Sequence, residues 1–134
     1  MKTRIYTQYA RESHTVTPGG KMKESEIEGW LVSQIKKLGG FADKFISPGN
    51  PGVPDRIIVM PGGRVIFVEL KTEIGRLSGI QKWQRERYQK MGVDFRVVKG
   101  MDAARALVKE LRKEVAPNEV HPTRIPEDSL SKDT

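Results

Sequence analysis

Two acids and a lysine bracket the stretch GVPDRIIVMPGGRVIFVELK, residues 52–71: Asp55 stands before one apolar run, and Glu69 and Lys71 close the next. Pro61, Gly62 and Gly63 between the runs are turn residues, so the stretch is expected to form a β-hairpin. With a three-residue loop, Met60 pairs with Arg64, and counting outward sets Asp55 opposite Glu69. Side chains alternate along a strand, so Val65, Phe67, Glu69 and Lys71 share one face. Carboxylates that meet across strands repel, which destabilises the sheet or raises one pKa. A divalent cation between them reverses that sign. Magnesium takes hard oxygen ligands from one or two carboxylates and leaves room for water and a substrate phosphate. Lys71 adds a positive charge beside the same spot, suited to orienting or deprotonating a water, or to steadying charge that develops on a phosphate.

Other elements must hold these groups in place. The segment ESEIEGWLVSQIKKLGG sets Ile27, Leu31, Ile35 and Leu38 on one helical face with Trp30 beside them, and Gly39 and Gly40 stop it. Glu24 falls within the apolar stripe, Glu28 on its border and Glu26 off it. Two readings of Glu24 stay open: it lies beyond the packed region and favours the positive helix end, or it reaches toward the cation. DKFIS reads as a short strand, PGNPG as a loop, and DRIIVM and RVIFVELK as the hairpin strands. Ser78 is placed to cap a helix whose inner face carries Ile80, Trp83, Tyr88 and Met91. DFRVV is a further strand. Asp102 is the expected N-cap of AARALVKELRK, with Ala106, Leu107 and Leu111 inward. The order α-β-β-β-α-β-α implies an α/β sheet with packed helices, and the passage from Val65 to Val98 a right-handed parallel crossover.

Residues 1–21 are polar and aperiodic, residues 22–114 carry the dense pattern, and residues 115–134 form a polar tail rich in Pro, Asp and Ser. Met22 opens the patterned part and is a plausible natural start. The length of 134 residues favours one domain, and 37% hydrophobic residues allow one modest core. No apolar run approaches the roughly 20 residues of a membrane span, and the N-terminus lacks a signal-type apolar stretch. With no cysteine, disulfides and thiolate zinc sites are excluded, and the two histidines, His14 and His121, lie in the polar ends. A net charge of +7 and a pI of about 9.8 point toward polyanions, nucleic acid first, although a lysine-rich surface alone gives the same balance.

Each motif alone has an ordinary explanation. Asp55 after Pro54 can simply open a strand from a turn, ELK can be a surface ion pair, and Gln81 a solvated helix residue. The joint pattern argues otherwise, because the acids bracket one hairpin whose second strand is otherwise unusually apolar. GVPD, then a hairpin, then VELK, then GRLSGIQ, resembles the VRR-NUC family of the PD-(D/E)XK nuclease superfamily over most of residues 24–111. The resemblance implies a restriction-endonuclease-like αβββαβ core, with a mixed central sheet flanked by helices, and Mg2+- or Mn2+-dependent cleavage of DNA phosphodiester bonds. Carried over by position, Asp55 and Glu69 are metal ligands, Lys71 is the catalytic lysine and Gln81 the glutamine of the following helix. Glu24 matches the acid of the family's first helix and becomes the third metal ligand, with Glu26 the fallback.

The family includes the nuclease domain of a Fanconi-associated DNA repair enzyme and short free-standing phage proteins, and this chain is similar to the second kind. That similarity implies work in the cytoplasm of a bacterial or phage-infected cell. It also implies branched DNA such as a four-way (Holliday) junction as substrate, cut in pairs by a twofold homodimer. The rival expectation is a DNA-binding or regulatory module that keeps the fold without turnover, against which the intact Asp55, Glu69 and Lys71 argue.

Overall fold

The structure, a computed structural model, describes residues 22–115. The extension and tail expected on either side lie outside the described residues. The elements run α1 (Glu24–Lys37), β1 (Phe41–Lys44), β2 (Arg56–Met60), β3 (Arg64–Lys71), α2 (Gly79–Lys90), β4 (Phe95–Lys99) and α3 (Gly100–Glu114). The four strands form one sheet in the order β1-β2-β3-β4. The first three pair antiparallel, and β4 lies parallel to β3 across the helical connection. The mixed sheet and the element order are those expected from sequence.

The hairpin fixes the register. Met60 pairs with Arg64, and the ladder continues to Arg56 against Val68. Gly62 and Gly63 both take positive φ, which the tight Pro-Gly-Gly turn requires. Alternation then gives β3 two chemically distinct faces. Ile66, Val68 and Leu70 are fully buried beneath α1 and α3, in one core with Ile27, Leu31, Ile35, Ala104, Leu107, Val108 and Leu111. Val65, Phe67, Glu69 and Lys71 take the opposite face, where α2 lies.

That second face is built differently from expectation. Ile80, Trp83 and Met91 were expected inward, yet they are 45%, 54% and 79% exposed, and the buried residue of α2 is Gln84. The helix meets the sheet through rings rather than an aliphatic stripe. Tyr88 stands edge-on to Phe67 and Phe95, and Phe67 edge-on to Phe45, with centroids 5.2–5.8 Å apart. Gln84 reaches sideways instead, donating from Nε2 to the Pro51 carbonyl at 3.0 Å. Two smaller differences follow from backbone bonding. Strand β1 begins at Phe41, directly after the glycines, and not at Asp43. Helix α3 starts at Gly100, so Asp102 sits in its first turn rather than at the cap. Ala104 points inward because it shares the i, i+3, i+4, i+7 face with Leu107, Val108 and Leu111, and Ala106 is exposed.

The loop entering β2 is pinned against α2 at Gly52. Its φ is +80°, and a Cβ there would lie 2.9 Å from Ile80 Cγ1 and 3.0 Å from the Ile80 carbonyl. Gly62 has a similar φ with nothing near it. Gly52→Ala therefore adds a clash to the backbone strain that Gly62→Ala also incurs. Urea unfolding should place Gly52→Ala at least about 1 kcal/mol below Gly62→Ala. Equal losses would mean that the loop does not rest on α2.

Candidate active site

Asp55 lies one step beyond the last ladder pair of β2, where the register sets it against Glu69. Its main chain stays in the sheet, since the Asp55 carbonyl accepts from Phe45 N–H at 2.9 Å. Its side chain turns to β3, where Oδ2 accepts from Leu70 N–H at 2.7 Å. This short charge-assisted bond substitutes for a ladder bond and fixes the carboxylate beside Glu69.

Glu69 is 1% exposed. One carboxyl oxygen, Oε1, accepts from Gln81 Nε2 at 2.9 Å. The Gln81 amide is itself oriented by the start of α2: its Oε1 accepts from Ser78 N–H at 2.9 Å, and its own N–H donates to Ser78 Oγ at 3.3 Å. This reciprocal cap is what aims Gln81 at the site. The other oxygen, Oε2, is buried without a donor. Burial, followed by the Asp55 charge and a carboxyl–carboxyl contact with Asp55, pushes the Glu69 carboxyl up to about 8, and Lys71 only partly offsets this. Two carboxylate oxygens cannot bond to each other, so the contact needs a proton on one of them. Ionised, Glu69 has a buried Oε2 without a donor and the Asp55 charge acting on it.

Glu24, the first residue of α1, belongs to the same electrostatic cluster. Its carboxyl is raised by burial and then by the Asp55 charge, with Lys71 pulling it down and Glu28 pushing it up. Glu24 also contributes to the upward shift of Glu69. The structure therefore brings together Glu24, Asp55, Glu69, Lys71 and Gln81. Among the described residues, however, no three carboxylate or imidazole groups stand close enough to form a ready-made cage for a metal ion. Glu26, expected off the buried face, is 4% exposed, because its Oε2 folds back to accept from Lys23 N–H at 3.2 Å across the first turn.

Two groups near the site escaped the sequence reading. Arg56 donates through Nε and Nη2 to Glu28 Oε1 at 3.0 and 2.6 Å and through Nη1 to the Ala42 carbonyl at 2.9 Å. It thereby clamps α1, β1 and β2 together next to Asp55. A signal was present: alternation puts Arg56 on the buried face of Ile58 and Met60, where a guanidinium needs a partner. The second is Arg85, one turn after Gln81, whose Nε is buried without an acceptor. Beside Asp55, an open cleft of about 250 Å³ is lined by residues 44–46 and 53–55 together with Glu28.

Two carboxylates thus meet on one hairpin, with a lysine on the same strand face, inside an α/β protein with αβββαβ element order. Known proteins agree. The chain is 38% identical over 86 residues, 64% of its length and 92% of the relative's, to a protein of Acyrthosiphon pisum secondary endosymbiont phage 1 named "Putative nuclease p44". It also matches a solved structure described as a VRR_NUC domain, with a TM-score of 0.60 and 26% identity over 64% of this chain and 94% of that one. No family model matches the chain. The chain belongs to the VRR-NUC nuclease family. Among the described residues no helix is long and apolar enough to cross a membrane.

The raised Glu69 carboxyl has a consequence for stability. In the unfolded chain this group ionises near 4.5, whereas in the fold it keeps its proton to about pH 8. The folded state binds the extra proton across that window, so its stability is full below pH 4.5 and is lost as pH rises toward 8. In EDTA, Tm should fall on the order of 5 °C or more between pH 5 and 8.5. Glu69→Gln should flatten the slope. An unchanged slope in that variant would refute the assignment.

Proposed function

We propose that this nuclease is a Mg2+- or Mn2+-dependent endonuclease for branched DNA, acting as a twofold homodimer in the cytoplasm of a bacterial or phage-infected cell. The observation that carries the reading is the orphaned, buried Glu69 Oε2 on a carboxyl that the Asp55 charge bears on, with Lys71 on the same strand face. Two hard carboxylate oxygens without a donor between them suit a divalent ion, which takes one or two carboxylates and fills the rest of its shell with water and phosphate. Asp55 and Glu69 would hold the ion, with Glu24 the α1 acid whose charge also bears on that spot. Bound there, the ion supplies charge neutralisation of the phosphate and the leaving oxygen.

The chain's own groups supply the remaining functions. Leu70 N–H fixes Asp55, and Gln81 fixes Glu69 through Oε1, which leaves Oε2 without a donor. Lys71 counters the negative cluster and is the group to orient the attacking water or steady the charged phosphorane. The net charge of +7 suits a polyanion, and Arg85 offers a buried donor for a phosphate oxygen. Dimerisation is supported by the need for two cuts on a junction and by the exposed Ile80, Trp83 and Met91 along α2.

Incubation with junction and linear duplex DNA in Mg2+ or Mn2+ tests the reading. Asp55→Asn and Glu69→Gln should each lower turnover about 10²-fold or more while DNA binding persists. Near-normal turnover in either variant removes the metal site. Glu24→Gln should impair turnover more than Glu26→Gln, because Glu26 serves its own helix; the reverse order would make Glu26 the helix acid.

Assembly and substrate preference are read separately. Light scattering should give about twice the 15.1 kDa chain mass, and a clean monomer at micromolar concentration contradicts the dimer. In competition, junction DNA should be cut before linear duplex of equal length. Equal cutting leaves a general nuclease.

A further inference from the structure

The acids of the site lie to one side of Lys71, toward β2 and α1, and β4 lies to the other. On that side the parallel register pairs Lys71 with Lys99, the last residue of β4. The Phe95 ring meets Tyr88 of α2, so Phe95 is on the α2 face, and alternation carries Val97 and Lys99 to the same face. Lys71 and Lys99 are therefore like charges side by side on the active-site face, an arrangement that destabilises a sheet. Lys99 is exposed and takes part in no salt bridge among the described residues.

Arg85 brings a further cation from α2. Gln81 and Tyr88 point at the sheet, toward Glu69 and toward Phe67 and Phe95. Gln84 turns off that line toward Pro51, on the β2 side. Arg85 follows it by one helical step of about 100° and so turns to the opposite, β4 side. Its Nε is buried without an acceptor, which leaves a desolvated donor unrewarded. Its guanidinium is in no salt bridge, and Glu73, whose side chain lies against Gly100 next to Lys99, pairs with neither cation. An anion between Lys99 and Arg85 relieves both the like-charge pair and the orphaned donor.

Resting on the nuclease reading above, we infer that Lys99 and Arg85 hold the backbone phosphate next to the scissile one, on the side away from Asp55. Lys99 stands one strand spacing from Lys71, about 4.8 Å at the backbone, so the two lysines serve neighbouring phosphates of one strand. The strand to be cut then crosses the C-terminal ends of β3 and β4, with the scissile phosphate at the acids and its neighbour at the cations. Such a contact positions the backbone and reads no base.

The test takes whichever of the junction and the linear duplex is cut faster. The phosphodiester on each side of the scissile one is replaced, in turn, by an uncharged methylphosphonate. One of the two replacements should lower kcat/KM of the wild-type protein about tenfold, the scale of a lost hydrogen bond to a charged group. Lys99→Met should raise KM about as much on the natural substrate, act little on kcat, and be indifferent to that replacement. Equal cutting of all three substrates by the wild-type protein, or a Lys99→Met variant that still feels the replacement, overturns the inference while leaving the nuclease reading in place.

A measurement without turnover tells the two apart. In EDTA, the salt dependence of DNA binding, followed by fluorescence anisotropy, should become shallower by about one counterion in Lys99→Met and in Arg85→Met. Lys109→Met removes an exposed cation from α3, on the other face of the sheet, and should leave the slope unchanged. Without DNA, Lys99→Met should melt no lower than the wild-type protein, since a like-charge pair is relieved. An unchanged slope in Lys99→Met, an equal effect of Lys109→Met, or a lower Tm in Lys99→Met refutes the phosphate site. If the protein cuts no DNA, the nuclease reading fails, and the slopes alone decide this one.

Discussion

The structure turns on a repulsion that the fold holds in place. Asp55 and Glu69 lie opposite each other at the mouth of the hairpin, and among the described residues no cation is ion-paired to either. Lys71 softens the cluster but does not enter it as an ion-pair partner: none of the salt bridges among the described residues involves these acids. A sheet left to its own energetics would place a threonine or a lysine at one of these positions. Holding the pair takes outside restraint, and each acid has a separate one. Asp55 is gripped by the β3 backbone at Leu70, and Glu69 by an amide delivered from α2.

Those restraints explain why the two faces of the sheet differ so sharply. On the α1 and α3 side the core is dry and aliphatic, and stability comes from burial of Ile58, Ile66, Val68, Leu70 and their helix partners. At the hairpin end, Arg64 and Arg96 share Asp94 and reach Glu114 and Glu110. These half-exposed pairs add little energy singly but tie the turn of the hairpin to the end of α3. On the α2 side, the helix contributes no residue to the apolar core and serves instead as a carrier for Gln81, Gln84 and Tyr88. A helix used this way buries Gln84 rather than an aliphatic stripe and leaves Trp83 and Met91 exposed, with Ile80 half-exposed against the Gly52 loop.

How much of this was legible follows from the same division. The hairpin register was readable because Pro-Gly-Gly allows few loop geometries and alternation does the rest. The first helix was readable because its stripe is apolar and period-true. The face of α2 was misread because Ile80, Trp83 and Met91 recur at helical spacing, and a sequence does not say whether an apolar stripe meets its own sheet or stays exposed. Glu26 was misread because helical phase treats a side chain as pointing straight out, whereas this one folds back to its own helix start. The Arg56–Glu28 clamp and the Gln84–Pro51 bond join residues 28 and 33 positions apart, a distance at which composition and period carry no signal.

These long-range bonds converge on one short segment. Within residues 51–56, the Pro51 carbonyl is held by α2, the Asp55 carbonyl by the residue after β1, the Asp55 carboxylate by β3, and the Arg56 side chain by α1 and β1. Elements α1, β1, β3 and α2 therefore all fix the same six residues. A loop carrying a carboxylate would ordinarily be free to swing away from a like charge. Here that relief is blocked from four directions, so the repulsion between Asp55 and Glu69 cannot be discharged by movement. It can be discharged only by a proton or a cation, and the raised Glu69 carboxyl is the expression of that constraint.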